Sequence, residues 1–392
     1  VSVSEKAAYL DNAATTAILP EALEVLYQEA ATVGNASSLH GAGRRARKIV
    51  EESRERIAAA VGAKPQEVIF TASGTEANNL AVKGMFWQAQ NDGEAKTGIS
   101  SSPVEHHAIL DPLEWLERES GAQLHLAQVD VNGVINPESI TEIMSEHGAT
   151  ISFATFMHSN NEVGALQPVA ELADIAREHQ IPIHTDAVQS FGKVPLHFAD
   201  LGVDAMTISG HKIGGPLGVA ALIAKKTLEL TPLLHGGGQE REVRSGTLHT
   251  PAIAAFATAA EISQAKLNSN SERIRSLRAR LIAGITQTVS DVRLNGGANT
   301  LPGIAHFTFD GAEGDALLLL LDAQGVQCST GSACSAGIAQ PSHVLIAMGM
   351  APKIARSSIR FSIGPSTTEA EIDRAISVIG EVVVRARAAG AK

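Results

Sequence analysis

The sequence predicts an α/β protein: a large domain built on a mostly parallel sheet, and a smaller α+β domain. Three features carry that prediction. From Pro20 to about Lys225, short apolar runs alternate with amphipathic stretches of helical period. Polar and glycine-rich clusters sit just after the apolar runs, where open parallel sheets place their ligands. From about Leu267 the alternation gives way to fewer, mixed elements. A chain of 392 residues is also too long for one compact core. The expected division is 19–265 for the large domain, with 1–18 and 266–392 forming the small one.

The elements follow in order. Pro20 opens a helix reading "PEALEVLYQEAATV", with proline in a tolerated first-turn position. "RRARKIVEESRERIAAAVG" carries Ile49, Val50, Ser53, Ile57 and Val61 at helical spacing, with Gly62 as its stop. "EVIFT" reads as a strand and Thr75 to Gln88 as the next helix. "GISSS", "LHLAQV", "TISFATF", "IPIHTD" and "DAMTIS" read as short buried strands. "HAILDPLEWLERE", "PESITEIMSEH" and "PVAELADIAREHQ" read as the helices between them. A glycine-rich loop, "HGGGQEREVRSGT", precedes an alanine-rich helix from about Pro251. The smaller domain is read from "AHFTF", a helix over "EGDALLLLLDAQG", "SSIRFSI" and a last helix from about Thr368.

Composition excludes several classes. Hydrophobic residues at 44% and charged residues at 19% are those of an ordinary globular chain, so disorder is not expected. A formal net charge of -11 disfavours non-specific nucleic-acid binding and anionic membranes. The opening residues show no basic stretch followed by an apolar one, so no secretory signal is expected. The run "ALLLLL" is too short to span a bilayer. Two cysteines, Cys328 and Cys334, make no disulfide framework and lack the further ligand pair of a structural zinc site; no metal is expected, and the compartment is expected to be cytoplasmic.

Six polar clusters fall at or after predicted strand ends. In "TASGTEANN", Ser73 and Glu76 have the form of a capping box, and Gly74 and Thr75 open a helix N-terminus suited to phosphate; an ordinary capped helix is the plainer reading. "VEHHAIL" holds His106 and His107, first-turn residues in the plainer view. "HSNNEVG" holds Asn160 and Asn161, which as a pair often only make turns. Asp186 ends an apolar strand, with Gln189 three residues on; such a carboxylate needs a donor or cation, or it is a helix cap. Lys212 follows Ser209 and His211 in a glycine-rich turn, where lost solvation would lower its pKa and make the amine a nucleophile or base; a solvated turn lysine is the alternative. "VRSGT", ending at Thr247, suits an anion. "GAGRRA" fits a loose dinucleotide fingerprint, but no strand precedes it. A cofactor with a phosphate, a ring nitrogen and an imine-forming aldehyde would engage the phosphate site, the acid and the lysine together, and pyridoxal phosphate has those parts.

The order and wording of these clusters resemble the cysteine desulfurases of the nitrogen-fixation and iron–sulfur housekeeping branch, within the class-V aminotransferase family. The matching segments are "YLDNAATT", "SGTEANNLAVKG", "VEHHAIL", "HSNNEVG", "HTDAVQSFGK", "SGHKIGGPLG", "GGGQEREVRSGT", "STGSAC", "PSHVLIAMG" and "SSIRFSIG", spanning residues 9 to 364. The resemblance implies pyridoxal-phosphate fold type I (aspartate aminotransferase-like) and a homodimer with shared sites. It implies that Lys212 holds the cofactor, Asp186 pairs with its ring nitrogen, His106 stacks on the ring and Gln189 bonds the phenolic oxygen. Gly74, Thr75, Ser209 and His211 would hold the phosphate, joined by Thr247 across the dimer. Asn161 would contact the cofactor and, with Arg360, orient the substrate carboxylate.

Cys334 then looks like the nucleophile that takes sulfur from L-cysteine as a persulfide, with Lys212 and His106 moving protons; alanine leaves and the sulfur passes to an iron–sulfur scaffold or another acceptor protein. Cys328, at the end of "GVQC", reads as a small buried hydrophobe. Leu217 and Glu242 depart from the pattern, the latter standing where the family usually has glycine. A selenocysteine lyase, another class-V aminotransferase-like enzyme or a non-catalytic scaffold are the competing readings; the intact set of Lys212, Asp186 and Cys334 argues against the scaffold.

Overall fold

The computed structural model describes residues 7–91, 93, 96–331 and 341–390. Its strands are β1 (Ala8–Tyr9), β2 (Val68–Thr71), β3 (Gly98–Ser101), β4 (Gln123–Leu126), β5 (Ile151–Thr155), β6 (Ile183–Asp186), β7 (Ala205–Ser209), β8 (Ala220–Ala224), β9 (Val292–Asn295), β10 (Ile304–Phe309), β11 (Val326–Gln327) and β12 (Ser358–Ser362). Continuous apolar runs, rather than alternating ones, mark strands covered on both faces. Accordingly β2, β3, β5, β6, β7 and β8 are buried along their whole length, while the mixed β4 is a half-exposed edge.

These seven strands form one sheet in the order β2-β8-β7-β6-β5-β3-β4. Every neighbouring pair is parallel except the two that involve β8, so β8 alone is reversed. The stretch from Gly210 to Val219 is too short for the helical crossover that a parallel connection needs. A buried polar ladder ties the centre. His184 of β6 bonds Thr155 of β5 through Nδ1 at 2.9 Å and Thr207 of β7 through Nε2 at 3.0 Å. Burial lowers the pKa of that imidazole to about 3, so it stays neutral.

The second lobe is antiparallel, with strand order β12-β10-β9, and β1 pairs in parallel with β11. Its apolar core joins Leu10 to Leu281, Phe307, Phe361 and Ile379, while Phe70, Phe156, Phe191 and Phe256 belong to a separate core in the larger lobe. A 22-residue helix, Leu267–Thr288, has no counterpart in the sequence reading. Its serine- and asparagine-rich opening resembles a loop, although Ile274, Leu277, Leu281 and Ile285 are buried at helical spacing. Strand β9 was missed likewise, being only partly buried. Among the described residues no helix is long and apolar enough to cross a membrane.

The glycine-rich loop is clamped to the sheet by an ion pair. Arg54 donates through Nη1 to Glu240 Oε2 at 2.8 Å and through Nη2 to Oε1 at 2.7 Å, and the Phe70 amide donates to the same carboxylate at 2.9 Å. The Glu240 side chain is fully buried. Arg54→Met should therefore lower the free energy of unfolding by about 3 kcal/mol in urea denaturation, because it strands a buried charge. In the same loop Glu242 has φ 60°, which explains why glycine suits this position. Glu242→Gly should raise stability by about 1 kcal/mol in the same assay.

Candidate active site

The carboxyl ends of β2, β5, β6 and β7 open onto one cavity of about 240 Å³. Gly74, Thr75, His106, Asn161, Asp186, Gln189, Ser209, His211 and Lys212 all line it, together with Asn78. Residues spread over some 140 positions are brought together because six strands point the same way and each deposits its following turn at one edge.

The phosphate-type end lies where helix Gly74–Asn91 begins. Ser73 Oγ accepts from the Glu76 amide at 3.0 Å. The Glu76 carboxylate reaches back to the Ala72 amide at 2.8 Å, one residue short of the Ser73 amide that a strict capping box uses, and also meets Arg244 Nε at 2.7 Å, so Ser73 caps the helix and Glu76 carries an added ion pair. Among the described residues no protein acceptor meets the Gly74 or Thr75 amide. A Cβ on Gly74 would come within 3.1 Å of Val188, so glycine lets the helix start approach the turn after β6. The hydroxyl of Ser209 is buried there without a partner.

Asp186 meets the donors its burial requires: Asn78 Nδ2 donates to Oδ2 at 2.6 Å and the Val188 amide to Oδ1 at 2.9 Å. Asn78 was missed by the sequence reading. Its signal was its place one helical turn after Gly74, on the face turned to the cavity. His106 caps helix His107–Ser120, its Nδ1 accepting from the Ala108 amide at 3.0 Å. That bond leaves the proton of the neutral ring on Nε2. The ring is open to the cavity yet crowded by protein, and burial is the main cause that lowers its pKa. His106 is therefore both the first-turn residue of the plainer reading and a cavity residue. The preceding Glu105 is fully buried, its Oε1 accepting from the Met157 amide at 2.7 Å, and burial pushes its pKa up to about 8.

Lys212 lies in a tight turn after β7. A Cβ on Gly215 would stand 2.9 Å from the Gly210 carbonyl oxygen, so only glycine closes this turn. Its Nζ donates to the carbonyls of Ala13 at 2.6 Å and Ala14 at 2.8 Å. Burial lowers its pKa to about 8, helped by the Arg360 guanidinium, while Asp186 and Asp11 oppose the shift. His211 is held neutral by burial, its pKa lowered to about 4. Gln189 donates from Nε2 to the Ala13 carbonyl at 2.9 Å. The N-terminal segment, which the sequence reading included in a motif without a role, thus furnishes two carbonyls to the site.

Arg360 is not on the cavity wall. It is 4% exposed and spreads its fork between the Asn161 carbonyl at 2.8 Å and Asp11 Oδ1 at 2.8 Å. Asp11 was not foreseen as its partner. Thr247 stands apart from the cavity, exposed beside a separate surface hollow with Glu29 and Arg45. Cys334 lies outside the described residues. Cys328 is buried, unpaired and its thiol pKa is raised, chiefly by burial, which agrees with an unreactive packing role.

Residues 8–375 match the family Aminotransferase class-V. The chain belongs to that family. An IscS-like cysteine desulfurase of Mycobacterium tuberculosis is 48% identical over 384 residues, covering 97% of this chain and 98% of the relative. A cysteine desulfurase IscS of Dictyoglomus turgidum is 40% identical, covering 97% and 95%. Among solved structures, a NifS-like protein superposes with a TM-score of 0.88 at 32% identity, covering 97% of this chain and 100% of that one. SspA in complex with cysteine gives 0.80 at 32% identity, covering 92% and 99%. The fold is thus that of the pyridoxal-phosphate enzymes of type I, as the resemblance implied.

Members of the class-V family use pyridoxal 5′-phosphate, and the cavity fits it. An orphaned buried hydroxyl and two open amides suit a phosphate, a carboxylate on the floor suits a ring nitrogen, and a desolvated amine suits an aldehyde. The Lys212 amine should be free above about pH 8, where an ordinary lysine is still an ammonium. Cofactor uptake by the apo-protein, followed by absorbance, should therefore rise about tenfold per pH unit below 8 and level off by pH 9. A rate still climbing through pH 10 would contradict the depressed pKa.

Proposed function

We propose that the chain is a cysteine desulfurase, converting L-cysteine to L-alanine while sulfur passes to Cys334 as a persulfide, for iron–sulfur cluster assembly and other sulfur transfer. The observation that supports it most is the desolvated Lys212 amine on the same 240 Å³ cavity as Asp186, in a chain 48% identical to a named cysteine desulfurase.

Bound pyridoxal 5′-phosphate supplies an electron sink. Lys212 anchors it and afterwards takes and returns the substrate's α-proton at Nζ, a task suited to a pKa near 8. Asp186, fixed by Asn78 and the Val188 amide, would pair with the cofactor's ring nitrogen. Ser209, His211 and the amides of Gly74 and Thr75 would hold the phosphate, and Thr247 would complete the shell across a homodimer interface. Asn161 and Arg360 orient the substrate carboxylate; the fork must share its present bonds to do so. The neutral His106 holds its proton at Nε2 for donation near the substrate sulfur. Cys334 thiolate attacks that sulfur, the substrate C–S bond breaks with its electron pair left on carbon, and a proton delivered there yields alanine.

A cytoplasmic location, an acceptor protein for the sulfur, and the division into a 19–265 domain and a 1–18 plus 266–392 domain belong to the same proposal; the two separate apolar cores support the division.

Incubation with L-cysteine followed by intact-protein mass measurement should show one added sulfur atom on wild type and none on Cys334→Ala. Lys212→Ala should lower alanine formation by more than a thousandfold; alanine formation that survives in Cys334→Ala at the wild-type rate would favour a lyase that needs no enzyme thiol, and a keto acid formed in place of alanine would favour a plain aminotransferase.

A further inference from the structure

A second lysine lies close to the first. Lys193 follows Gln189 by four residues, and its Nζ donates to Gln189 Oε1 at 3.0 Å. Its backbone is fixed on both sides. Ser271 Oγ donates to the Lys193 carbonyl at 2.8 Å, and a Cβ on the preceding Gly192 would stand 2.8 Å from Ile213 and 2.9 Å from Ser263. Lys193 and Lys212 also border a narrow, mostly apolar cavity of about 40 Å³ beside Ile213 and Ile274. Burial there, with Lys212 and Arg360 as neighbouring cations, pushes the Lys193 pKa down to about 7. A fold gains no stability by burying an amine beside two cations. What the amine touches is the side chain of Gln189.

We propose that Lys193 is a positioning residue that fixes which end of the Gln189 carboxamide faces the cofactor. A carboxamide has an accepting oxygen and a donating nitrogen of nearly equal size, and only its partners choose between the two orientations. Here both partners agree. The Lys193 Nζ, strictly a donor while it is an ammonium, takes the oxygen; the Ala13 carbonyl, which can only accept, requires the nitrogen at 2.9 Å. A flipped amide would set oxygen against oxygen at Ala13 and, while Lys193 is an ammonium, N–H against N–H. The fixed orientation leaves the second Nε2 hydrogen for an acceptor in the cavity that Gln189 lines. The inference rests on the reading above, in which that acceptor is the cofactor's phenolic oxygen. Without Lys193 only the Ala13 carbonyl would hold the amide, and its donor would face the cavity for a smaller part of the time.

A donor on that oxygen favours its ionised form, so losing the donor raises the pH midpoint of the bound cofactor's visible absorption change. The test is that titration on holoenzyme. Gln189→Ala should raise the midpoint by about one pH unit, Lys193→Met should raise it by about half as much, and Lys193→Arg, which keeps a donor, should stay within a few tenths of wild type. Combining Gln189→Ala with Lys193→Met should add nothing to Gln189→Ala alone. Lys193→Leu, which also has no donor, replaces the methionine variant if that one does not fold. A shift with Gln189→Ala but none with Lys193→Met overturns this inference and leaves the proposed function standing. So does a double variant whose shift is the sum of the two. No shift with Gln189→Ala removes the phenolic contact itself, and with it both the assigned role of Gln189 and this inference.

Discussion

Keeping one amine out of water is the constraint on which the rest of the site depends. Lys212 is useful only if its ammonium is costly, and the structure makes it costly by burial and by the nearby Arg360 charge. The two carbonyls that receive its Nζ hold the amine in place without supplying a full countercharge. A carboxylate in their position would have held the proton on the lysine. Among the described residues the acid lining the cavity, Asp186, is occupied by Asn78 and a backbone amide instead.

That arrangement needs the sheet to be built as it is. Parallel strands bring the turns after β2, β5, β6 and β7 to one edge, so a helix start, an asparagine, an acid and a lysine converge from distant parts of the chain. The single reversed strand matters as much. Because β8 returns beside β7 through a tight turn, Lys212 stays at the end of its strand and is not carried away on a crossover helix. The His184 ladder across β5, β6 and β7 then fixes the relative height of the strand ends.

The N-terminal segment joins the two lobes at the site. Asn12 donates to the Ser362 carbonyl at 2.9 Å and the Ala13 amide to Ser362 Oγ at 2.8 Å, so the segment rides on β12. From there Asp11 reaches Arg360, and Ala13 receives both Lys212 and Gln189. One short stretch thereby couples the Arg360 guanidinium of one lobe to the Lys212 amine of the other.

Much of this was legible in the sequence. Uninterrupted apolar runs ending in polar residues mark buried parallel strands and their ligand edge, since both consequences are local: burial of both strand faces, and the direction of the chain. Glycine at the lysine turn and the Ser73–Glu76 cap are local in the same sense. The helix Leu267–Thr288 escaped because its opening residues favour loops by their side chains, and only packing in the second lobe overrides that preference. What the sequence by itself determined, then, is the kind of each element and the chemistry placed at its end. What only the tertiary structure decided is pairing across distance. Asp11 with Arg360, Asn78 with Asp186, Lys193 with Gln189 and the reversal of β8 each depend on which segments become neighbours, and hydrogen-bond partners and burial are properties of the neighbours, not of the residue.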